Sequence, residues 1–409
     1  MKAAGPIPGA FTADAEGRLL IGERTAEELV EEAGGTPLFV YDNNIAGGQL
    51  ARFRAAMPDG IALHYAVKAN PYVPLLKFLG RYVDGFDIAS GGELELLQHA
   101  HLAGLPISFA GPGKRDPELE RAIAAHVTIH VESEAEAGRA IRIGGELGIR
   151  PKLSARVNPP FALKGAGMKM GGFASPFGID AERAPDVIRG IVESGAEWRG
   201  LHIFAGSQAL HTDAIIEVQR ETVALAARIS EAAGIRPPEL NLGGGFGIPY
   251  FAGERALDIS AVGQALGDTL CKAPDILANT RFAIELGRWL VGEAGVYLAR
   301  VIERKESSDR TFLVTDGGLH HMLAASGNFG QLLRRNYPVA VADSFGVAAE
   351  EEVTVTGCLC TPLDVLADEV MLPRAEPGDL IAIFCAGAYG LSASPQAFLG
   401  HPAAREMLV

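Results

Sequence analysis

Eight short apolar runs alternate with helical stretches between about residues 61 and 287. The runs are 61–67, 85–90, 106–112, 127–133, 153–159, 200–206, 239–245 and 281–287. The helical stretches between them include 92–103, 116–126, 134–148 and 213–234. Strands that alternate with helices build parallel βαβ units, because a parallel pair needs a long crossover. Eight units in this length predict a (β/α)₈ TIM barrel rather than an open doubly wound sheet. No short sequence repeat is evident, so a solenoid is excluded.

After about residue 290 the rhythm changes. Segments 296–302, 311–315, 353–358 and 380–384 read as strands with no long helix between them, and turn signals at Asp316-Gly317-Gly318 and Glu376-Pro377-Gly378-Asp379 separate them. This pattern predicts a separate antiparallel β domain. Segment 37–41 is a further strand candidate that can join it. The expected division is a barrel over 43–290 and a β domain from 1–42 and 291–409. One stretch, 160–178, breaks the barrel rhythm; it is glycine-rich and carries Lys164 and Lys169. A lid and a passive insertion both account for so long a loop.

A net charge of −14 disfavours nucleic acid and anionic membrane surfaces as partners, although a local basic pocket can still hold a small anion. The first residues, MKAAGPIPGAFTADAEG, lack the apolar core of a signal peptide, and no apolar stretch is long enough to span a bilayer. Cys271, Cys358, Cys360 and Cys385 form no CxxC pair and no disulfide framework, which fits a reducing cytoplasm.

In a barrel of this kind chemistry gathers at the carboxyl ends of the strands. Lys68, in YAVKAN, closes the first run. An ammonium at the end of a buried strand is poorly solvated, so it pairs or loses its proton, and a lysine of lowered pKa is a Schiff-base nucleophile. The ordinary alternative is a snorkelling surface lysine. Asp87 and Ser90 end the second run, Arg156 and Asn158 the fifth, and Ser207 follows the sixth. Gly243-Gly244-Gly245-Phe246-Gly247 ends the seventh, and Glu285 with Arg288 ends the eighth. Glycines let backbone N–H groups close on a phosphate, to which a following helix adds its positive end. A tight strand-to-helix turn explains the same glycines. A lysine and a phosphate cradle on one rim suggest pyridoxal 5′-phosphate.

With these residues assembled, the chain resembles the fold-type III pyridoxal-phosphate decarboxylases, the family of diaminopimelate, ornithine and arginine decarboxylases. The resemblance covers nearly the whole chain. Its motifs are YAVKAN, DIASGGEL, RVNP, HIFAGSQ, NLGGGFG, ELGR, GCLCTPLD and GAYG. It implies that Lys68 carries the cofactor as an aldimine and that CO₂ leaves to give a quinonoid. It implies that Glu285 pairs with the pyridine nitrogen, that Asp87, Arg156 and Phe204 line the cofactor, and that Gly243, Gly244, Gly245, Ser207 and Tyr389 hold the phosphate. Arg288 would bind substrate or phosphate oxygens, with Asp364 also on the substrate side. Cys360 would be the catalytic acid, supplied by the partner subunit of a homodimer; a small buried hydrophobe is its plain alternative. No metal is implied.

Three positions depart from the family pattern. Phe204 stands where a histidine usually stacks on the cofactor, leaving Phe204 or His202 for that role. Thr361 replaces an acid that reads a distal amine, which argues against diaminopimelate, ornithine and lysine. ELGR replaces EPGR. HIFAGSQ and CTPLD resemble a subgroup acting on aminoacyl groups tethered to an acyl-carrier protein, and decarboxylases associated with the exosortase system. Lys164, Lys169, Arg334 and Arg335 could offer positive charge to an acidic carrier protein or a substrate carboxylate, or could be solvated surface charges. The expected activity is therefore decarboxylation of an amino acid or a tethered aminoacyl group. Its rivals are diaminopimelate decarboxylase, an amino-acid racemase and a non-catalytic cofactor-binding protein. Glu285 argues against the racemase, which places arginine at the pyridine nitrogen, and Cys360 in a β domain argues against the last.

Overall fold

The computed structural model describes residues 2–165, 167–331 and 333–409, with only the backbone at Lys169. The chain forms two compact units, Leu50–Gly247 with Leu257–Gly287, and Met1–Gln49 with Ile248–Ala256 and Arg288–Val409. Residues 248–256, which the linear reading places in the barrel, group with the second unit.

The first unit is a closed barrel. Its strands are β1 (Ala62–Ala66), β2 (Gly85–Ile88), β3 (Ile107–Phe109), β4 (Thr128–Val131), β5 (Lys152–Asn158), β6 (Glu197–Ile203), β7 (Glu239–Asn241) and β8 (Arg281–Leu286). Each pairs in parallel with the next, and β8 closes onto β1. All eight expected runs are strands. Parallel strands covered on both faces read as continuous apolar runs, and nearly every residue of β2, β5 and β8 is buried. The intervening helices are bounded by ordinary chemistry. Ser133 caps Glu134–Leu147 by accepting from the Glu136 N–H, and Gly148, at φ 66°, ends it in the left-handed conformation. The helix after Lys68 starts only at Val73, because Lys68 stands in a single 3₁₀ turn, Val67–Ala69, and Asn70 after it is extended.

The loop at 160–178 is tied to the rim by two short ladders. Met168–Lys169 pairs antiparallel with Gly206–Ser207, and Ile179–Asp180 lies parallel to the end of β5.

The second unit is a mixed sheet rather than an antiparallel one. Gly295–Ser307 is its long central strand and pairs antiparallel with Leu38–Tyr41, Arg310–Thr315 and Leu380–Phe384. Two pairings are parallel: Arg310–Thr315 with Glu351–Thr356, and Leu38–Tyr41 with Arg405–Leu408. The first spans a long crossover and the second joins opposite ends of the chain, so neither shows in local turn signals. Val339–Val341 and Val365–Leu372 complete the sheet. Leu19, Leu29, Val40, Val296, Leu298, Leu380 and Phe384 form part of its core. Among the described residues no helix is long and apolar enough to cross a membrane.

Candidate active site

The carboxyl ends of β2, β4, β6, β7 and β8 bring five polar side chains to the barrel centre. Glu285 is buried on β8. Asn241 Nδ2 donates to its Oε1 at 2.5 Å, and His202 Nε2 donates to its Oε2 at 3.2 Å. His202 and Asn241 are Cα partners in the β6–β7 register, so both reach Glu285 from neighbouring strands. His130 Nε2 lies 4.0 Å from Glu285 Oε1, and its ring stacks on His202 with centroids 4.5 Å apart. Asp87 accepts from Ser108 Oγ at 3.2 Å through Oδ1, while its Oδ2 lies 3.8 Å from Lys68 Nζ and has no hydrogen-bond partner among the described residues.

These contacts push two buried carboxyls apart. Burial alone would raise Glu285, but the field and hydrogen bond of His202, with His130 and Lys68, outweigh it and hold this carboxyl well below the usual range. Burial raises Asp87 well above that range, the Glu285 charge adds to this, and Lys68 opposes it. The negative charge is therefore favoured on Glu285 over Asp87. Burial also drives His130 well below its ordinary value.

Lys68 stands at the rim beside Asp87, but its side chain is 46% exposed, not desolvated as its strand-end position predicted. The 3₁₀ turn carries it past the buried end of β1. The glycine run is required by space. A Cβ at Gly244 would run into the Glu285 carbonyl oxygen, and one at Gly243 would sit 2.7 Å from Phe204 Cδ2. Gly243 and Gly245 also take positive φ, 65° and 93°. The Gly243 N–H is already donated to Asn241 Oδ1 at 2.9 Å, so Gly243 supplies room rather than a phosphate donor. The expected helix dipole is not there either: the next helix starts at Ile259. Phe204 lies against Gly243 and is half-buried, whereas His202 is buried beside Glu285 and stacks on His130. Ser207 sits in the short ladder with the 160–178 loop.

Two expected site residues have structural duties. Ser90 caps the helix Gly91–His99, accepting from the Glu93 N–H. Asn158 donates to the Phe173 carbonyl at 3.1 Å and so holds the loop. Arg156 pairs with Glu132 at 2.7 Å and lies 5.2 Å from the Phe177 ring centroid. Glu132 also accepts from the N–H groups of Gly111 and Gly178. Sequence reasoning did not single out His130, Asn241, Glu132 or Ser108. Their signal was a polar residue inside an apolar run near a strand end.

In the sheet unit, Arg288 donates to Tyr250 Oη at 2.8 Å and lies 4.6 Å from the Tyr389 ring centroid; among the described residues no carboxylate pairs with it. Burial pushes the Tyr250 phenol up to about 12, against the pull of Arg288. Tyr389 adopts φ 54°, a left-handed conformation uncommon outside glycine. Cys360 is an exposed free thiol. Asp364 is not placed to contact substrate. It is 2% exposed, and its oxygens accept from the N–H groups of Leu319 (2.6 Å) and Leu359 (2.9 Å), which fixes the Gly357–Asp364 turn. The expected basic display is also reduced. Lys164 pairs with Glu217 at 3.0 Å, Arg335 pairs with Glu254 at 3.2 Å, and Arg334 donates to the carbonyls of Ser326 and Leu363. The Lys169 side chain lies outside the described residues.

The barrel centre fits a ring that carries a basic nitrogen, a phosphate and a carbonyl. A buried carboxylate anion suits a basic ring nitrogen, the glycine cradle leaves room that any side chain would fill, and a lysine stands at the rim. Pyridoxal 5′-phosphate has the matching nitrogen, phosphate and carbonyl.

Comparison with known proteins agrees. Residues 47–292 match the pyridoxal-binding domain of the pyridoxal-dependent decarboxylases. The chain is 38% identical over 380 residues to an L-glutamyl-[BtrI acyl-carrier protein] decarboxylase of Niallia circulans, covering 91% of this chain and 88% of that one. It is 33% identical over 407 residues to a diaminopimelate decarboxylase of Methanothermobacter thermautotrophicus, covering 96% and 91%. The solved diaminopimelate decarboxylase of M. jannaschii in complex with L-lysine superposes with a TM-score of 0.87 at 27% identity, covering 100% of this chain and 93% of that one. A barrel built around a buried anion, a rim lysine and a glycine cradle, matched along its whole length by such relatives, places this chain in the family of pyridoxal-dependent decarboxylases.

Proposed function

We propose that this decarboxylase acts on an aminoacyl group, glutamyl in the first instance, tethered to an acyl-carrier protein. The observation that carries the reading is the 38% identity to a carrier-protein-linked glutamyl decarboxylase, against 33% for a diaminopimelate decarboxylase over a similar span. Thr361 supports it, since a site that pairs a distal ammonium normally supplies an anion.

When bound, pyridoxal phosphate supplies a conjugated ring that takes up the electron pair left by departing CO₂. Lys68 attaches it at the barrel rim. Glu285, kept ionised by His202 and Asn241, holds a proton at the ring nitrogen. Gly244, Gly245, Ser207 and Tyr389 hold the phosphate, with Gly243 and Phe204 shaping the space beside it. Asp87 and Arg156 flank the cofactor, and Arg288 offers its guanidinium to a carboxylate or phosphate. Cys360, exposed and unpaired, delivers the proton to Cα.

A comparison of kcat/KM values tests the substrate. The carrier-tethered glutamyl group is expected to exceed free diaminopimelate, ornithine and lysine by at least about tenfold. Efficiency on the order of 10⁴ M⁻¹s⁻¹ or more with any free diamino acid would overturn the tethered reading in favour of a free-amino-acid decarboxylase.

Lys68 belongs to the barrel unit and Cys360 to the sheet unit. We infer a homodimer in which each subunit supplies Cys360 to its partner, through a two-fold and therefore isologous interface. Neither Lys68→Ala nor Cys360→Ala alone is expected to turn over. Random subunit exchange between them should restore about a quarter of the sites, because half the dimers are mixed and each holds one complete site. No recovery after verified exchange would mean that each site is built within one chain.

A further inference from the structure

We infer that His202 is a positioning residue which, with Asn241 on the other side, fixes the plane of the Glu285 carboxylate and favours the negative charge there over Asp87. The inference rests on Glu285 being the partner of the ring nitrogen. Each Glu285 oxygen has one donor, Asn241 Nδ2 on Oε1 and His202 Nε2 on Oε2. The Asn241 amide has no freedom to turn round. Its Oδ1 accepts from the Gly243 backbone N–H, which can only donate, so Nδ2 must face the carboxylate. One side chain thereby links the glycine cradle to the carboxylate. A carboxylate only accepts, so His202 Nε2 carries a proton; its Nδ1 is buried without a partner among the described residues. The ring is held instead by stacking on His130, tilted only 20° from it, and by the β6–β7 register that sets it beside Asn241.

Asp87 is the competitor for the charge. It is as deeply buried as Glu285, and only Ser108 donates to it by hydrogen bond among the described residues. Two carboxyls with oxygens within 4.8 Å of one another do not both ionise freely, and the one with better donors is favoured for the charge. Withdrawing the His202 donor leaves Glu285 with Asn241 alone, and the proton redistributes toward a shared pair. Glu285 then holds the ring nitrogen's proton less firmly.

The test loads the full-length protein with pyridoxal phosphate labelled with ¹⁵N at the ring and reads the nitrogen resonance beside kcat, with occupancy checked by absorbance. His202→Gln keeps a donor near the Nε2 position; His202→Leu fills the space without one. His202→Gln is expected to keep the protonated-type resonance and most of kcat. His202→Leu should move the resonance toward the unprotonated form and lower kcat roughly ten- to a hundredfold. If His202→Leu does not fold, His202→Asn, whose amide is too short to reach Glu285, replaces it. A wild-type resonance in the donor-less variant, or equal damage from Gln and Leu, overturns the inference. Glu285→Gln separates the two readings: if it moves the resonance and His202→Leu does not, only the role of His202 falls; if neither moves it, the reading of Glu285 falls as well.

Discussion

Lys68→Ala is expected to fold, and to lose CO₂ release by on the order of 10³-fold or more. Folding should survive because the side chain is 46% exposed and follows the strand rather than packing inside it, and exposed truncations usually shift stability by no more than about 0.5 kcal/mol. Activity should not survive, because the other lysines described in the barrel unit near its strand ends are already committed. Lys114 is buried, ion-pairs with Glu136 at 2.9 Å, and donates to the carbonyls of Gly111 and His130. Lys164 pairs with Glu217 on the loop. Lys68 lies 3.8 Å from Asp87 Oδ2, which has no hydrogen-bond partner among the described residues. Borohydride treatment of the loaded protein, followed by peptide mapping, should find the cofactor on Lys68. Label on Lys114, or near-wild-type turnover in Lys68→Ala, would show that the attachment point is elsewhere.

The barrel was legible in the sequence for a definite reason. A parallel strand covered on both faces has no polar face, so each one is a short apolar block, and the polar residues that end it mark the rim. That logic placed Lys68, Asp87, Arg156 and Glu285 at strand ends. It could not separate them from Ser90 and Asn158, which look the same in the sequence but serve as a helix cap and a loop tie. Strand direction in the second unit was not legible, because alternation has the same period whichever way a strand runs. Thus Glu351–Thr356 reads as antiparallel although it lies parallel to Arg310–Thr315. Val365–Leu372 escaped because Asp368 and Glu369 interrupt its apolar residues and Glu369 takes φ 50°, with a register shift beside it. His130 and Asn241 escaped for another reason. Their meaning lies in distances across strands far apart in sequence, and inside an apolar run each passes for a satisfied core residue. Asp364 shows the converse: the motif displays an acid, and only the turn geometry reveals that both its oxygens are taken by backbone N–H groups.

Glu285→Gln is expected to lower kcat by at least about a hundredfold, or roughly 2.7 kcal/mol of transition-state stabilisation. The substitution keeps the size of the side chain and removes its charge. Burial favours the neutral form at this position, and the field and hydrogen bond of His202, with His130 and Lys68, hold the carboxyl below its ordinary range. A neutral amide there cannot stabilise a protonated ring nitrogen, so the ring takes up the electron pair from CO₂ loss less readily. Part of the damage is local. The Asn241 and His202 donors would meet a group with only one acceptor atom, leaving one buried donor unmatched, which costs about 1–3 kcal/mol. That cost falls on the folded protein and lowers the melting temperature; the electrostatic loss appears in kcat at saturating substrate with cofactor fully bound. Measuring both separates them. A lowered melting temperature with unchanged kcat would show that Glu285 supports the barrel centre and that the proton on the ring nitrogen is held by another group.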